Sequence, residues 1–383
     1  MKIRWYIVLC LVLAGCTSSA ETVATSATTP TTLPPSTAIG TTTTVTAVPT
    51  PLVAAAAPTN SPTALPASPT ALPPSPTAAP TSTPAIPIWS YPIGSPGQPL
   101  GNGFFIRHGY AVENTWFNPG YWHTGEDWYA LEGDTAGANV FAVAAGEVVY
   151  TGANYPGRVV IIQHADDLFS MYGHLDPALT VEVGKQVERG ALLGRVLRRT
   201  DDVPNHLHFE IRTFLTTSAV NGQSPRYAFR CGPGCPPGPG YWPIQAPELP
   251  SALGWRNPTH ALAQRMYQPE QQASLGEVVV ATEPVSPSLT LWTTISSSGD
   301  PSEPMDDIQL RPGDRFPLLA VSAGPEQSET TSALGYLLWY KIGLDDGRSG
   351  WAQAAIATNF EVGSDGRVAT IRFNLYPATE SQP

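Results

Sequence analysis

The sequence predicts a mainly β fold behind a long unfolded leader, and three observations carry that expectation. From about residue 88 to 215 short apolar runs alternate with glycine: Val140-Phe141-Ala142-Val143, Val148-Val149-Tyr150, Val159-Val160-Ile161-Ile162 and Leu192-Leu193. Short apolar runs rich in β-branched and aromatic residues between turn formers read as strands. A second block of the same kind covers 276–360, with Asp346-Gly347 between two apolar runs as a hairpin signal. No helical period interrupts 88–215. The expected helix is short, opening at Asn257-Pro258 and running through Ala273, with asparagine as cap and proline in the first turn.

The remaining segments follow from composition. Lys2 and Arg4 precede about ten apolar residues, too few to span a bilayer and suited to a secretory signal over 1–15. The positive start stays on the cytoplasmic side, so the mature chain is exported. The run ends in Leu13-Ala14-Gly15-Cys16, which resembles the lipobox of bacterial lipoproteins. That resemblance implies cleavage before Cys16, acylation of its sulfur and anchoring to a membrane surface. Ordinary secretory cleavage, with Cys16 incidental, is the competing reading.

Residues 16–87 are threonine, proline, serine and alanine with almost no charge, and Ser61-Pro-Thr-Ala-Leu-Pro66 returns as Ser68-Pro-Thr-Ala-Leu-Pro73. Such a segment cannot bury a core and is expected to be a disordered tether. At ~3.1 Å per residue in polyproline II it reaches on the order of 200 Å when stiff.

The formal net charge of −11 has no basic block to offset it, which excludes a nucleic-acid surface. Of four cysteines, Cys10 leaves with the signal and Cys16 is the lipidation candidate. Cys231 and Cys235 remain around Gly232-Pro233-Gly234 in an oxidising compartment and suit a small disulfide loop. Half of a metal site is the alternative there, and it lacks two further ligands. The residues around them, 216–275, read as an irregular connector carrying the short helix. Residues 361–383 read as a C-terminal tail after a strand at Val368 to Phe373.

Chemistry concentrates in three motifs. His123-Thr124-Gly125-Glu126-Asp127 places an imidazole and a carboxylate four positions apart, with a glycine that favours a tight loop. Asn205 to Arg212, taken as a strand, puts His206, His208, Glu210 and Arg212 on one face and Leu207, Phe209 and Ile211 on the other. Met171-Tyr-Gly-His-Leu175 adds His174 after a further strand. Imidazoles and a carboxylate are ligand types that zinc prefers, and spacing alone does not say which of His206 and His208 would be a ligand.

In this order the motifs closely resemble those of the M23 zinc metallopeptidases, the lysostaphin and LytM type, which cut peptidoglycan cross-bridges or stem peptides. The likeness runs from about Trp89 to Leu215, including Ser90-Tyr-Pro-Ile-Gly94 and the glycine-paced Val183 to Gly190. It implies an antiparallel β-sheet peptidase domain over 88–215. It also implies one Zn²⁺ held by His123, Asp127 and His208, with His174 and His206 lining the catalytic water and the scissile carbonyl. All five positions are filled, whereas degenerate members of the family have lost metal ligands. The glycine-rich loop usual before His-x-His is replaced by Arg198-Arg-Thr-Asp-Asp-Val-Pro-Asn205, which bears on cleavage preference.

His164 is expected to be structural, and the sequence offers no partner for His108 or His260. Trp116, Phe117, Tyr121 and Trp122 are candidates for either a groove wall or the core. The block 276–360, with Leu338-Trp-Tyr-Lys-Ile342 and Gly347-Arg-Ser-Gly-Trp351, resembles the bacterial SH3 family that binds wall peptides. Its usual early Arg-Ser-Gly-Pro is replaced by Leu291-Trp-Thr-Thr294, so a packing or spacer role competes with wall binding. The expected whole is a lipid-anchored exported zinc endopeptidase acting on peptidoglycan. Its rivals are a non-catalytic wall-binding or regulatory relative and a surface adhesin.

Overall fold

The computed structural model describes residues 89–114, 118–152, 157–215, 240–266, 276–283, 289–324, 336–362 and 367–378. The signal, Cys16, the tether, Trp116, Phe117, Cys231 and Cys235 lie outside the described residues. The chain divides into two units, Met1–Thr77 and Ala78–Pro383, and every described residue belongs to the second. Among the described residues no helix is long and apolar enough to cross a membrane.

The glycine-punctuated runs form strands as expected: β1 (Phe104–His108), β2 (Asn118–His123), β3 (Glu126–Ala130), β4 (Gly146–Gly152), β5 (Arg158–Gln163), β6 (Phe169–Leu175) and β7 (Leu207–Arg212). After α1 (Pro258–Met266) come β8 (Glu277–Val280), β9 (Arg315–Ala323), β10 (Leu338–Gly343), β11 (Ser349–Val362), β12 (Arg367–Phe373) and β13 (Leu375–Pro377). The pairings are antiparallel, and the main sheet runs β4-β5-β6-β7-β3-β1-β12-β11-β10-β9-β8-β13. Mainly β architecture of this kind matches the expected fold class.

Four neighbouring strands matter most for the site. In β7, His208 pairs with Gly173 of β6 on one side and with Asp127 of β3 on the other, and Asp127 pairs in turn with His108 of β1. The period of two in β7 holds: Leu207, Phe209 and Ile211 enter the hydrophobic core, while His208, Glu210 and Arg212 point to the polar side. That polar side is itself buried, since Glu210 and Arg212 are fully inaccessible.

The two β blocks share this sheet and one core. Ile106 of β1 pairs with Ile371 of β12, Trp128 stacks on Phe373 at 5.2 Å, and the Tyr376 hydroxyl donates to the Phe104 carbonyl at 3.1 Å. The strand expected at Val368 to Phe373 is present as β12, and the tail expected around it is corrected. Residues 367–377 form β12 and β13, because Ile371, Phe373, Leu375 and Tyr376 supply apolar surface that the core takes in completely. The connector is also more ordered than its composition suggests. Its short strand Tyr241–Pro243 pairs with β2, and Trp255-Arg256 pairs with the end of β7. Asn257 caps α1 through its side-chain oxygen, which accepts from the His260 N–H at 3.2 Å. The helix is described only to Met266, short of the expected Ala273.

Candidate metal centre

The turn between β2 and β3 carries His123 and Asp127 toward β7. Gly125 permits it. A Cβ there would lie 2.3 Å from the Phe209 carbonyl oxygen, a backbone atom that cannot retreat. The turn can pack this closely on β7 only without a side chain, which brings the two residues to His208.

Three atoms then converge. His123 Nε2 lies 3.0 Å from His208 Nδ1 and 3.2 Å from Asp127 Oδ1, and His208 Nδ1 lies 3.1 Å from the same oxygen. The protons of both rings are committed elsewhere. His123 Nδ1 donates to the Gly109 carbonyl at 3.1 Å, and His208 Nε2 donates to Glu210 Oε1 at 3.1 Å. With those bonds made, the two rings when neutral and the carboxylate turn lone pairs toward one another, an arrangement that is repulsive unless a proton or a metal cation sits among them. A tetrahedral zinc with bonds of ~2.0–2.1 Å separates its ligands by roughly 3.3–3.4 Å, so the triangle has the right size for one face of such a site. The residues fit the ion that the motifs imply.

Outer groups hold this triangle. Glu210 Oε1 also accepts from Thr124 Oγ1 at 2.7 Å, while its Oε2 accepts from Arg212 Nη1 at 3.0 Å and Trp255 Nε1 at 3.1 Å. His108, for which the sequence offers no partner, stacks on His123 with rings 4.3 Å apart and 6° from parallel. Its Nδ1 meets Asp127 Oδ2 at 3.3 Å. His108, His123 and Asp127 thus also bring ligand atoms within 4.8 Å of each other. His108 reaches the opposite carboxylate oxygen, however, and the tighter set contains His208.

The electrostatics favour a cation. Burial pushes the Asp127 carboxyl up, but the His123 and His206 rings and the hydrogen bonds from His108 and His123 hold it well below the usual carboxylate range. Burial likewise opposes protonation of His208, and its bonds to Asp127 and Glu210 outweigh burial and push it up to about 9. Burial, assisted by His123, lowers His108 to about 4.

His206 and His174 flank the triangle. His206 Nε2 is 3.7 Å from Asp127 Oδ1, and its Nδ1 is 2.8 Å from the Pro204 carbonyl and 3.2 Å from the Tyr129 hydroxyl. Burial lowers its pKa against the pull of Asp127, which favours the neutral ring. His174, next to last in β6, adopts a left-handed conformation, φ 61°, unusual for a residue with a side chain. Its ring stands edge-on to His206 at 4.7 Å and to His208 at 6.2 Å. All five expected site residues therefore meet in one place.

Two other expectations concern neighbouring residues. His164 is structural, with Nδ1 2.9 Å from the Ala145 carbonyl and Nε2 2.7 Å from Ser170 Oγ. Trp122 packs against the core, and Tyr121 sits half-buried on β2. The partners that sequence reasoning missed are His108, Thr124 and Tyr129. Tyr129 had a usable signal, since it lies two residues after Asp127 on the same strand. His108 had none, because its meeting with Asp127 depends on pairing between β1 and β3.

The chain is similar to known proteins. The model of peptidase family M23 matches residues 121–223. The chain is 39% identical over 79 residues to lipoprotein NlpD of Yersinia enterocolitica, covering 20% of this chain and 78% of that protein. It is 36% identical over 78 residues to cell division protein DipM of Caulobacter vibrioides, covering 20% of this chain and only 13% of that one. The solution structure of lysostaphin aligns over 71% of this chain and 96% of its own at 15% identity, with a TM-score of 0.29. The antiparallel β fold with a His/Asp cluster at its polar centre defines a peptidase-like class. The chain belongs to peptidase family M23.

Proposed function

We propose that the protein is a zinc-dependent endopeptidase that hydrolyses peptide bonds in peptidoglycan stem peptides or cross-bridges. The observation that carries this reading is the convergence of three lone pairs from His123, Asp127 and His208, each ring with its other nitrogen already occupied. Zinc in that position supplies a Lewis acid that activates water and polarises an amide carbonyl near neutral pH.

The chain's own residues supply the remainder. The Pro204 carbonyl accepts the hydrogen bond of His206 Nδ1–H, which leaves Nε2 as a lone pair beside the triangle, suited to accept a proton from the attacking water. In this reading His174, edge-on to His206, would donate toward the developing oxyanion or the leaving amine. Burial of both rings excludes bulk water and strengthens these interactions.

The same reading places the protein at the outer face of the bacterial cell membrane through lipid on Cys16. Residues 16–87 serve as the tether, and Cys231 pairs with Cys235. The likeness to a lipoprotein and the lipobox support that placement.

Digestion of purified cross-linked muropeptides, followed by mass spectrometry, tests the activity. The wild-type chain with one zinc releases new amino termini, and His123→Ala and chelated wild type release none. Stoichiometric zinc without cleavage would instead establish a non-catalytic, wall-binding member of the family.

A further inference from the structure

Tyr336 lies more than a hundred residues beyond the segment matched to the family, which ends at 223. Its side chain is 2% exposed and reaches the outer shell of the metal centre. Two contacts define its position. The backbone N–H of Tyr110 donates to the Tyr336 hydroxyl at 2.6 Å, and that hydroxyl is in turn hydrogen-bonded to the Glu126 carboxylate.

Both contacts lead to the expected ligands. The Tyr110 N–H and the Gly109 carbonyl belong to one rigid peptide unit, and the Gly109 carbonyl accepts from His123 Nδ1 at 3.1 Å. The peptide plane is held on one edge by His123 and on the other by Tyr336. The fit is close. A Cβ on Gly109 would come within 2.8 Å of the Tyr336 hydroxyl oxygen. At the other end Glu126 immediately precedes Asp127 and accepts from Thr259 N at 3.0 Å, Thr259 Oγ1 at 2.7 Å and Trp128 Nε1 at 3.3 Å. The Thr259 N–H belongs to the first turn of α1, where a carboxylate is also favoured by the helix dipole.

A continuous line therefore runs from the His123 imidazole through the Gly109–Tyr110 peptide and the Tyr336 hydroxyl to Glu126, whose backbone continues into Asp127. We infer that Tyr336, supplied by the C-terminal block, is a positioning residue that sets the orientation of His123 and Asp127 for metal binding. The block is then a structural part of the centre, whatever else it binds. The inference rests on the zinc reading above. Outer partners of metal-binding histidines tune affinity by about 10- to 100-fold, and Tyr336 acts one bond further out than these.

The test is zinc affinity, measured by chelator competition on the full chain in detergent. Tyr336→Phe keeps the ring and removes the hydroxyl, and it is expected to weaken zinc about tenfold and to shift the visible bands of the cobalt-substituted protein. Tyr340→Phe is the control. It removes another buried hydroxyl of the same block, which faces Tyr91 at 3.4 Å and lies off the line, so zinc affinity stays unchanged.

Equal affinity in Tyr336→Phe and wild type, or equal weakening by both variants, would overturn the inference while leaving the zinc reading intact. A wild-type chain that binds no zinc would overturn both. A measurement on the wild type stands apart from whether the variant folds: zinc loading is expected to slow amide exchange at Tyr110 more than at Tyr340, and equal slowing counts against the role.

Discussion

Glu210 accepts hydrogen bonds from His208 and Thr124 through one oxygen and from Arg212 and Trp255 through the other. Such a carboxylate fixes the tautomer and direction of its histidine. Glu210→Gln keeps the shape but can turn an N–H toward His208, so zinc affinity is expected to fall by about 10- to 100-fold, as read by chelator competition. Gly125→Ala tests the close approach of the ligand turn to β7. Its methyl group meets a backbone oxygen, and the expected cost is about 1–3 kcal/mol, measured by denaturant unfolding, together with weaker zinc binding.

His164 gives a residue-scale test away from the metal. Burial lowers it to about 4 from an ordinary 6.5. The unfolded chain takes up a proton below pH 6.5 while the folded ring stays neutral, so stability is intact above 6.5 and declines as pH falls toward 4. The loss from this one group is on the order of 3 kcal/mol. Stability against pH in His164→Gln should be flatter over that window.

At the scale of elements, β7 was the most legible strand in the sequence. Alternation of Leu207, Phe209 and Ile211 with His208, Glu210 and Arg212 assigned both faces before any partner was known, because side chains on a strand alternate whatever the strand pairs with. Full burial of the polar face was not legible, since the groups that cover it come from Thr124, Asp127 and Trp255. The β1–β12 junction is the opposite case. Nothing local in Ile106 or Ile371 announces that they pair. Both are fully buried, and Ile371→Ala is expected to destabilise the chain by about 2–5 kcal/mol, measured by chemical denaturation. An equally strong effect on zinc binding would show that the junction also bears on the site.

At the scale of the whole molecule, the residues from 276 onward supply part of the core that β1 and β3 pack against, through Tyr340, Phe373 and Tyr376. A chain ending at residue 275 exposes this surface and leaves Glu126 and Tyr110 without the Tyr336 hydroxyl. It is expected to be aggregation-prone and deficient in zinc, which size-exclusion chromatography with metal analysis checks. A soluble, zinc-loaded truncation would show that the two blocks fold separately.

The sequence alone determined the β class, the three motifs and, through resemblance, the family, and it named five expected site residues. Strand period and motif order are local properties that survive without knowledge of contacts. Tertiary structure decided which ring nitrogens face inward, that His108 and Tyr336 stand behind the site, and that the presumed tail is core. Those outcomes depend on contacts between residues as much as 272 positions apart, and no local pattern of polarity encodes which distant strand will supply the partner.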